Sequence, residues 1–204
     1  MKGSVYSIIF SVVLSSVCAA ALTAAAVFTG PRIETNRKAE RVKNILSVMD
    51  VPFPEDASGG ELLEIFNEYI VTRRQAGMDL YVRYSSGSQT ESVAVPFSGS
   101  GLWGPIKGFI CLEGDLKTVR DITFYQQEET PGLGGEIASK EFTSRFRGVS
   151  VLNSRGEPGL KIDGTGAVNA QNEVDAVSGA TMSCEKVEDM LNNVLEHVLS
   201  EVKI

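Results

Sequence analysis

The stretch DAVSGATMSCEKVEDMLNNVLEHVLSEV (residues 175–202) joins a run of small residues to the most regular helical pattern of the chain. In its second part, Val187–Val202, apolar residues recur at i, i+3, i+4 and i+7, which predicts an amphipathic helix docked by one face. In its first part, Asp175–Thr181, a hydroxyl ends a run of small side chains. The unpaired N–H groups and positive dipole end of a helix start favour a phosphate. The residues alone leave two interpretations open: a phosphate-bearing ligand held at Thr181, or a turn that only caps a helix.

The composition argues against several kinds of function. The 204-residue chain has a formal net charge of −7, and Lys2 is the only charged residue before Arg32. An acidic domain argues against nucleic acid as a partner, because phosphate neutralisation needs clustered Lys and Arg. The three cysteines, Cys18, Cys111 and Cys184, lack metal-ligand spacing, and the chain has one histidine. We therefore expect neither an iron–sulfur cluster nor a zinc site within this chain.

The first 31 residues predict a membrane anchor. No charged residue lies between Gly3 and Pro31, and Val5–Phe28 consists mainly of Ile, Phe, Val, Leu and Ala. At about 1.5 Å per residue this run exceeds a hydrocarbon core of roughly 30 Å, so a tilted transmembrane helix fits. A cleaved signal peptide is the alternative, but its apolar region spans only about 7–15 residues. Basic residues flank both ends, and long domains often translocate whatever their charge, so charge leaves the orientation open.

Residues 32–50 are expected to form a helix that connects the anchor to one domain over residues 51–204. Helical spacing runs through Glu34–Met49, and two prolines follow it. A short amphipathic helix around Leu62–Ile70 comes next. Alternating patterns then predict four strands, at Leu80–Tyr84, Ser92–Phe97, Gly108–Leu112 and Val119–Tyr125. Farther along we expect a helix over Glu136–Phe146, short strands over Val149–Leu152 and Leu160–Ile162, and a loop at Gly164–Ala167.

Two glycine-rich loops interrupt the predicted sheet region. The first, Gly99–Pro105, holds Trp103, the only tryptophan of the chain. In the second, Glu129–Ile137, Pro131-Gly132 suits the central positions of a type II turn, which needs φ > 0 at its second central residue. A leucine between glycines, Leu133, suits one face of a planar apolar ligand, although a leucine tucked into the core is the commoner outcome.

Three motifs thus follow a single apolar helix in a fixed order: GLWGP at 101–105, ETPGLGGEI at 129–137 and DAVSGAT at 175–181. With this arrangement the chain resembles the NqrC family, the C subunits of the bacterial sodium-translocating NADH:quinone oxidoreductase, most strongly from about Gly99 to Asn192. The homologous G subunit of the Rnf complex, a ferredoxin:NAD oxidoreductase, shares the second and third motifs and is the alternative within the family. The resemblance implies an α+β fold: an N-terminal transmembrane helix, then one FMN-binding domain with a mostly antiparallel sheet and flanking helices.

The resemblance also implies a covalently attached FMN. In the family, a flavin transferase joins the FMN phosphate, taken from FAD, to the threonine that matches Thr181. By the same resemblance, Leu102, Trp103 and the loop Glu129–Gly134 are candidates to line the flavin ring, and Lys161 is expected near the flavin. Cys184 stands where the family often carries Ser or Thr, and we expect a packed, inert thiol there. The expected cofactor-binding residues are Thr181, Ser178, Gly179, Ala180, Ser183, Leu102, Trp103, Glu129, Thr130, Pro131, Gly132, Leu133 and Lys161.

The function that the resemblance implies is an electron relay without catalysis or catalytic residues of its own. The domain would take electrons from an iron–sulfur centre in partner subunits and pass them to another flavin, coupled to sodium export. Its expected partners are the other subunits, the flavin transferase and membrane lipid. Its expected location is the bacterial cytoplasmic (inner) membrane, with a single pass and the flavin domain on the outer, periplasmic face.

Two other functions compete with the relay. A hydrolase could use Ser178 or Thr181 as a nucleophile, but it would need a base, and His197 is predicted to be solvent-exposed on the polar face of the last helix. A membrane-tethered FMN-binding domain with a sensory or scaffolding role is the other alternative.

Overall fold

The computed structural model describes residues 2–75, 77–85, 89–164 and 171–202. It begins with a 47-residue helix, α1 (Lys2–Val48), which joins the predicted anchor and the predicted connecting helix in one rod with Pro31 inside it. Within the described residues, α1 is the one helix long and apolar enough to cross a membrane, with a mean hydropathy of 2.2. Its large apolar side chains from Val5 to Phe28 are exposed. Exposure of this kind suits a surface that faces lipid.

Five strands form an antiparallel sheet in chain order. They are β1 (Ile70–Gln75), β2 (Met78–Tyr84), β3 (Thr90–Ser100), β4 (Pro105–Glu113) and β5 (Val119–Gln126). The four predicted strands are confirmed as β2 to β5. The edge strand β1 was not predicted, because its residues 71–74 are all exposed and show no alternation. The predicted amphipathic helix is α2 (Gly59–Tyr69), which begins with a capping box between Ser58 and Glu61 and leads directly into β1.

The two faces of the sheet are buried against different helices, because successive side chains of a strand point to opposite faces. Ala94 of β3 contributes to the core formed with the end of α1 and with α2, together with Phe109 of β4. The neighbouring Val93 and Val95 contribute to the larger core, which includes α4 (Thr181–Glu201). The predicted C-terminal helix is therefore confirmed, and its apolar stripe fixes its N-terminus against the sheet.

The segment between β5 and α4 is less regular than predicted. The helix expected over 136–146 is instead a 3-10 helix, Gly134–Ala138, followed by α3 (Lys140–Ser144). The break occurs because Ser139 adopts an extended conformation and its hydroxyl accepts a hydrogen bond from Phe142 N–H at 3.2 Å, which caps α3.

The predicted strand at 149–152 is also absent as a regular element, since these residues make only isolated bridges. The next predicted strand is β6 (Lys161–Asp163), which pairs in parallel with the unpredicted β7 (Glu173–Asp175). Apart from Gly164, the predicted loop at 164–167 lies outside the described residues. Because β7 ends at Asp175, it leads the third motif directly towards the start of α4.

Candidate functional site

The three motifs meet in one cleft of about 390 Å³ at the N-terminus of α4. The first loop connects β3 to β4 and the second follows β5, so the sheet brings both to the same end of the domain. The lining residues are Leu102, Trp103, Glu129, Thr130, Leu133, Gly134, Gly179, Ala180, Thr181, Met182 and Ser183.

Thr181 is the first residue of α4, and it is exposed. The preceding Ala180 is the N-cap residue and has no side-chain oxygen with which to cap the helix. The Ala180 side chain therefore accepts no hydrogen bond from the N–H groups of the first turn. These N–H groups lie at the positive end of the helix dipole. Gly179 turns the chain with φ of +77°, and a Cβ on it would lie 3.2 Å from Leu133 Cδ2. A hydroxyl beside an uncapped helix start suits a phosphate-bearing ligand.

Two side chains fix the path of the chain into this helix. Arg145 Nη1 donates hydrogen bonds to the carbonyl oxygens of Asp175 and Ala176, each at 3.0 Å. Val177 N–H donates to Cys184 Sγ at 3.4 Å. Burial raises the pKa of the Cys184 thiol, which fits the inert role predicted for it. The third motif is thus held from both sides, and its turn is presented in one defined orientation.

Large apolar side chains surround Thr181 without being buried. The exposed fractions are 73% for Trp103, 61% for Met182, 48% for Leu133 and 41% for Leu102. A group of exposed apolar side chains around a cleft is typical of a binding surface for an apolar ligand or a partner. Leu133 is therefore on the surface, as the ligand interpretation predicted, and not in the core.

Glu129, which lines the cleft, links the first loop to α4. Its side chain is buried, with only 4% of the residue exposed. Oε1 accepts hydrogen bonds from the N–H groups of Leu102 at 2.8 Å and Trp103 at 3.3 Å, while Oε2 accepts the hydroxyl of Ser183 at 2.6 Å. Gly134 allows this close packing, since a Cβ there would lie 2.5 Å from Ser183 Oγ.

Not every residue expected at the site lines this cleft. Pro131 and Gly132 form the predicted turn beside it, with φ of +75° at Gly132 and a hydrogen bond from Leu133 N–H to Thr130 O at 3.1 Å. Ser178 lines an adjoining cleft of about 480 Å³ that shares Thr181 with the first.

Lys161 is not among the residues that line either cleft, although its partner Asp163 lines the second one. Its ammonium group donates to Asp163 at 2.8 Å, and this hydrogen bond raises the pKa of the lysine. The structure therefore gives Lys161 an ion-pair partner on its own strand and no place among the residues that line the candidate site.

Three residues of the site have exposures or contacts that were not predicted from the sequence. Met182 follows Thr181 directly, and no periodicity marks its exposure. Gly134 was predicted as the end of the loop that lines the flavin ring, but its close contact with Ser183 was not predicted. Arg145 donates to backbone carbonyl oxygens, and no sequence pattern indicates such a contact. The sequence predicted only that Arg145 lies in a helix.

The described residues offer Thr181 no nearby histidine that could act as a base. His197 is exposed, as predicted, and it lines a separate cleft between β3 and α4. It is 16 residues along the helix from Thr181, roughly 24 Å at the usual rise. Within the same residues, no group of three or more His, Cys, Asp or Glu side chains could hold a metal ion. The geometry therefore does not support a hydrolase that pairs Ser178 or Thr181 with His197.

Known proteins are similar to this chain over the region that contains the three motifs. A family model described as an FMN-binding domain matches residues 101–196. The C subunit of the Na(+)-translocating NADH-quinone reductase of Yersinia pestis is 36% identical over 123 residues, which cover 60% of this chain and 46% of that protein. The corresponding protein of Pasteurella multocida is 32% identical over 149 residues, which cover 73% of this chain and 53% of that protein. The chain thus spans about half the length of these relatives.

The fold agrees with solved structures. NqrC of Shewanella oneidensis superposes with a TM-score of 0.68 at 20% identity, covering 79% of this chain and 94% of that one. The C subunit of the Na(+)-translocating NADH-quinone reductase of Parabacteroides distasonis superposes with a TM-score of 0.67 at 25% identity, covering 81% of this chain and 92% of that one. The predicted α+β fold is confirmed, residues 101–196 match the FMN-binding domain family, and the chain is similar to the C subunits of Na(+)-translocating NADH-quinone reductases.

Proposed function

We propose that this chain is a membrane-anchored flavoprotein that carries FMN covalently on Thr181 and relays electrons within a Na(+)-translocating NADH:quinone oxidoreductase. The observation that supports it best is the meeting of an exposed threonine hydroxyl, an uncapped helix start and a ring of exposed apolar side chains in one cleft. The flavin chemistry is supplied by FMN itself, which exchanges electrons when bound. The chain's own residues hold, orient and partly cover it.

The cleft has the two kinds of surface that FMN requires. At the start of α4, backbone N–H groups and the helix dipole can hold the phosphate, and Thr181 Oγ1 is accessible for the phosphoester that a flavin transferase would form. The small side chains of Gly179 and Ala180 leave room for close approach. Leu102, Trp103 and Leu133 offer apolar faces that suit a planar ring.

The relay role follows from the openness of the cleft and from the relatives. Exposed apolar side chains leave a route by which a redox partner can approach closely, which electron transfer needs. The named relatives are subunits of NADH-quinone reductases, so we propose that partner subunits supply electrons from an iron–sulfur centre and that another flavin accepts them. Sodium export would then be coupled by the whole complex.

We further propose that α1 holds the chain in the bacterial inner membrane, with the flavin domain on its outer face. A protease-accessibility experiment on spheroplasts tests the orientation. Digestion of the domain in intact spheroplasts supports the outer face, whereas protection until lysis would place it in the cytoplasm.

Covalent attachment is tested by expressing the full chain with and without a flavin transferase, denaturing it, and imaging flavin fluorescence on a gel. We expect a fluorescent band only with the transferase. Thr181→Ala should abolish the band, and Thr181→Ser should retain part of it because a hydroxyl remains. Ser178→Ala removes the other exposed hydroxyl of the turn and serves as the matched control, which should reduce attachment without abolishing it.

A wild-type chain without flavin under both conditions, or a Thr181→Ala chain that still carries it, would refute the proposal. Co-purification of the native complex then identifies its other subunits. It separates a quinone reductase from an Rnf complex, and an isolated chain without redox partners would support the sensor or scaffold alternative.

A further inference from the structure

We propose that a basic groove between α1 and the sheet, beside the point where α1 leaves the membrane, binds the headgroup of an anionic phospholipid. The groove has a volume of about 530 Å³. The helix contributes Glu34, Arg37, Lys38, Glu40 and Arg41, and the sheet contributes Lys107, Tyr125 and Gln126. The inference is independent of the flavin, and it rests on α1 crossing a membrane.

The groove borders the headgroup layer of a bilayer. The apolar run of α1 ends at Phe28, and Arg32 is the first charged residue after it. A bilayer is about 40–45 Å thick and its hydrocarbon core about 30 Å, so the headgroup region on each side is roughly 5–8 Å thick. Arg37 lies roughly 14 Å beyond Phe28 along the helix axis, and less along the bilayer normal if the helix is tilted. Side chains on a helix point back towards its N-terminus, which here is the direction of the bilayer. The long side chain of Arg37 can therefore reach phosphate groups at the surface.

The sheet holds a second cation beside this helix. The end of α1 is packed on the sheet through Ile45, Leu46 and Met49, which are buried with Phe109 of β4. Because α1 is continuous from the apolar run to this core, the sheet cannot turn independently of the helix. Lys107, near the start of β4, is thereby fixed beside the same groove as Arg37.

Within the described part of the chain, only one of the four basic groups of the groove has a carboxylate partner. Lys38 pairs with Glu34 at 3.0 Å. Arg41 donates to the Tyr81 hydroxyl at 3.0 Å, and its guanidinium lies 5.7 Å from the centre of the Phe109 ring. Across the described part of the chain, by contrast, no carboxylate lies within ion-pair distance of Arg37 or Lys107.

A phosphodiester would supply the missing negative charge. Tyr125 adds an aromatic ring with a polar tip, a side chain favoured at membrane interfaces. An acidic segment of a partner protein could satisfy the same charges. The position of the groove beside the apolar helix favours lipid, because basic residues next to a membrane-spanning helix attract the phosphates of anionic headgroups.

The test uses native mass spectrometry on the purified full chain in detergent. The probes are phosphatidylglycerol, phosphatidylcholine as a neutral lipid, and inorganic phosphate as a free anion. We expect phosphatidylglycerol to bind in preference to phosphatidylcholine and to persist in excess inorganic phosphate. The double variant Arg37→Gln/Lys107→Gln should weaken phosphatidylglycerol binding at least tenfold, since each basic residue near a surface contributes roughly a fivefold effect.

The matched control is Lys117→Gln/Arg155→Gln, which removes the same charge from two exposed residues, one of them in the turn at the far end of β4. It should bind phosphatidylglycerol as the wild type does, and circular dichroism should show both double variants folded. Equal binding of the two lipids, displacement by inorganic phosphate, or unchanged binding in Arg37→Gln/Lys107→Gln would overturn the proposal. The proposal would also be overturned if Arg37→Gln/Lys107→Gln kept its lipid binding but no longer co-purified with partner subunits. The groove would then bind an acidic segment of a partner protein.

Discussion

Replacement of Glu129 by alanine should test how the candidate flavin cleft is held together. The carboxylate accepts two short hydrogen bonds, from Leu102 N–H at 2.8 Å and from the Ser183 hydroxyl at 2.6 Å, and a longer one from Trp103 N–H at 3.3 Å. Hydrogen bonds to charged groups contribute about 1.5–3 kcal/mol each, and a buried partner left unpaired costs about 1–3 kcal/mol. These costs overlap, so we expect Glu129→Ala to lower the free energy of unfolding by about 2–5 kcal/mol.

Glu129→Gln is the matched control, because it keeps the shape of the side chain and removes its charge. Its amide oxygen can still accept from Leu102 N–H, while its NH₂ group can donate to a rotated Ser183 hydroxyl. We therefore expect a loss of only about 1–2 kcal/mol, the difference between charged and neutral hydrogen bonds.

Thermal unfolding of the full chain in detergent, followed by circular dichroism, measures both losses. At about 2–4 °C per kcal/mol for a domain of this size, Glu129→Ala should lower Tm by about 5–15 °C and Glu129→Gln by a few degrees. A Glu129→Ala chain that melts within about 2 °C of the wild type would refute the role of this carboxylate as a link between the loops. Equal losses in the two variants would show that charge, and not hydrogen-bond geometry, sets the effect.

The remaining predictions concern a tight contact, an exposed ring and a buried thiol. Gly134→Ala would put a Cβ 2.5 Å from Ser183 Oγ, so we expect the free energy of unfolding to fall by about 1–3 kcal/mol in the same measurement. Adding Ser183→Ala should restore part of this loss, because it removes the oxygen in the close contact. If the losses of the two single variants simply add in the double variant, the contact is not the cause. Trp103→Ala should leave Tm unchanged, because 73% of the residue is exposed. In a Thr181→Ala chain, which can bind FMN only noncovalently, the same substitution should weaken FMN binding by about 2- to 12-fold in fluorescence titrations. An unchanged affinity would show that the ring does not contact the flavin. Burial raises the pKa of Cys111 from 9.0 to about 12, so the unfolded chain loses this proton first and stability falls as pH rises above 9. Between pH 8 and 10 the wild type should lose about 1.4 kcal/mol more than Cys111→Ala, and equal pH dependence in denaturant unfolding would argue against this.

The sequence predicts those parts of the fold in which one local pattern determines one element. Strands β2 to β5 alternate apolar and polar residues or are largely apolar, and α4 keeps its helical period to its end. Strand β1 lies at the sheet edge, and its residues 71–74 are exposed on both faces. Only its pairing with β2 marks it as a strand. The pair β6 and β7 has three residues in each strand, too few for a period to be recognised. Ser139 splits a continuous helical pattern by capping the second half, a choice that depends on packing.

The candidate site shows the same division. The position of Thr181 at a helix start was predictable, because it depends on a local pattern. The exposure of Leu133 was one of two outcomes that the sequence left open. The pairing of Glu129 with Ser183 was not predictable, because the two residues are 54 positions apart and their hydrogen bond depends on how α4 docks. Resemblance had suggested both as cofactor contacts. Both residues line the cleft, and in the structure their polar atoms bond to each other and to the first loop.

The two sides of the cleft differ in how firmly they are built, and this bears on why a covalent link would be useful. The side that would take the phosphate rests on a 21-residue helix buried along one stripe, and Arg145 and Cys184 brace the turn before it. The opposite side consists of apolar side chains that remain exposed. An enclosed pocket could retain FMN without a covalent bond, but its walls would keep a redox partner away. If Thr181 carries the flavin, the bond at the rigid side replaces enclosure, and the other side can stay open for electron transfer because it does not have to supply the affinity.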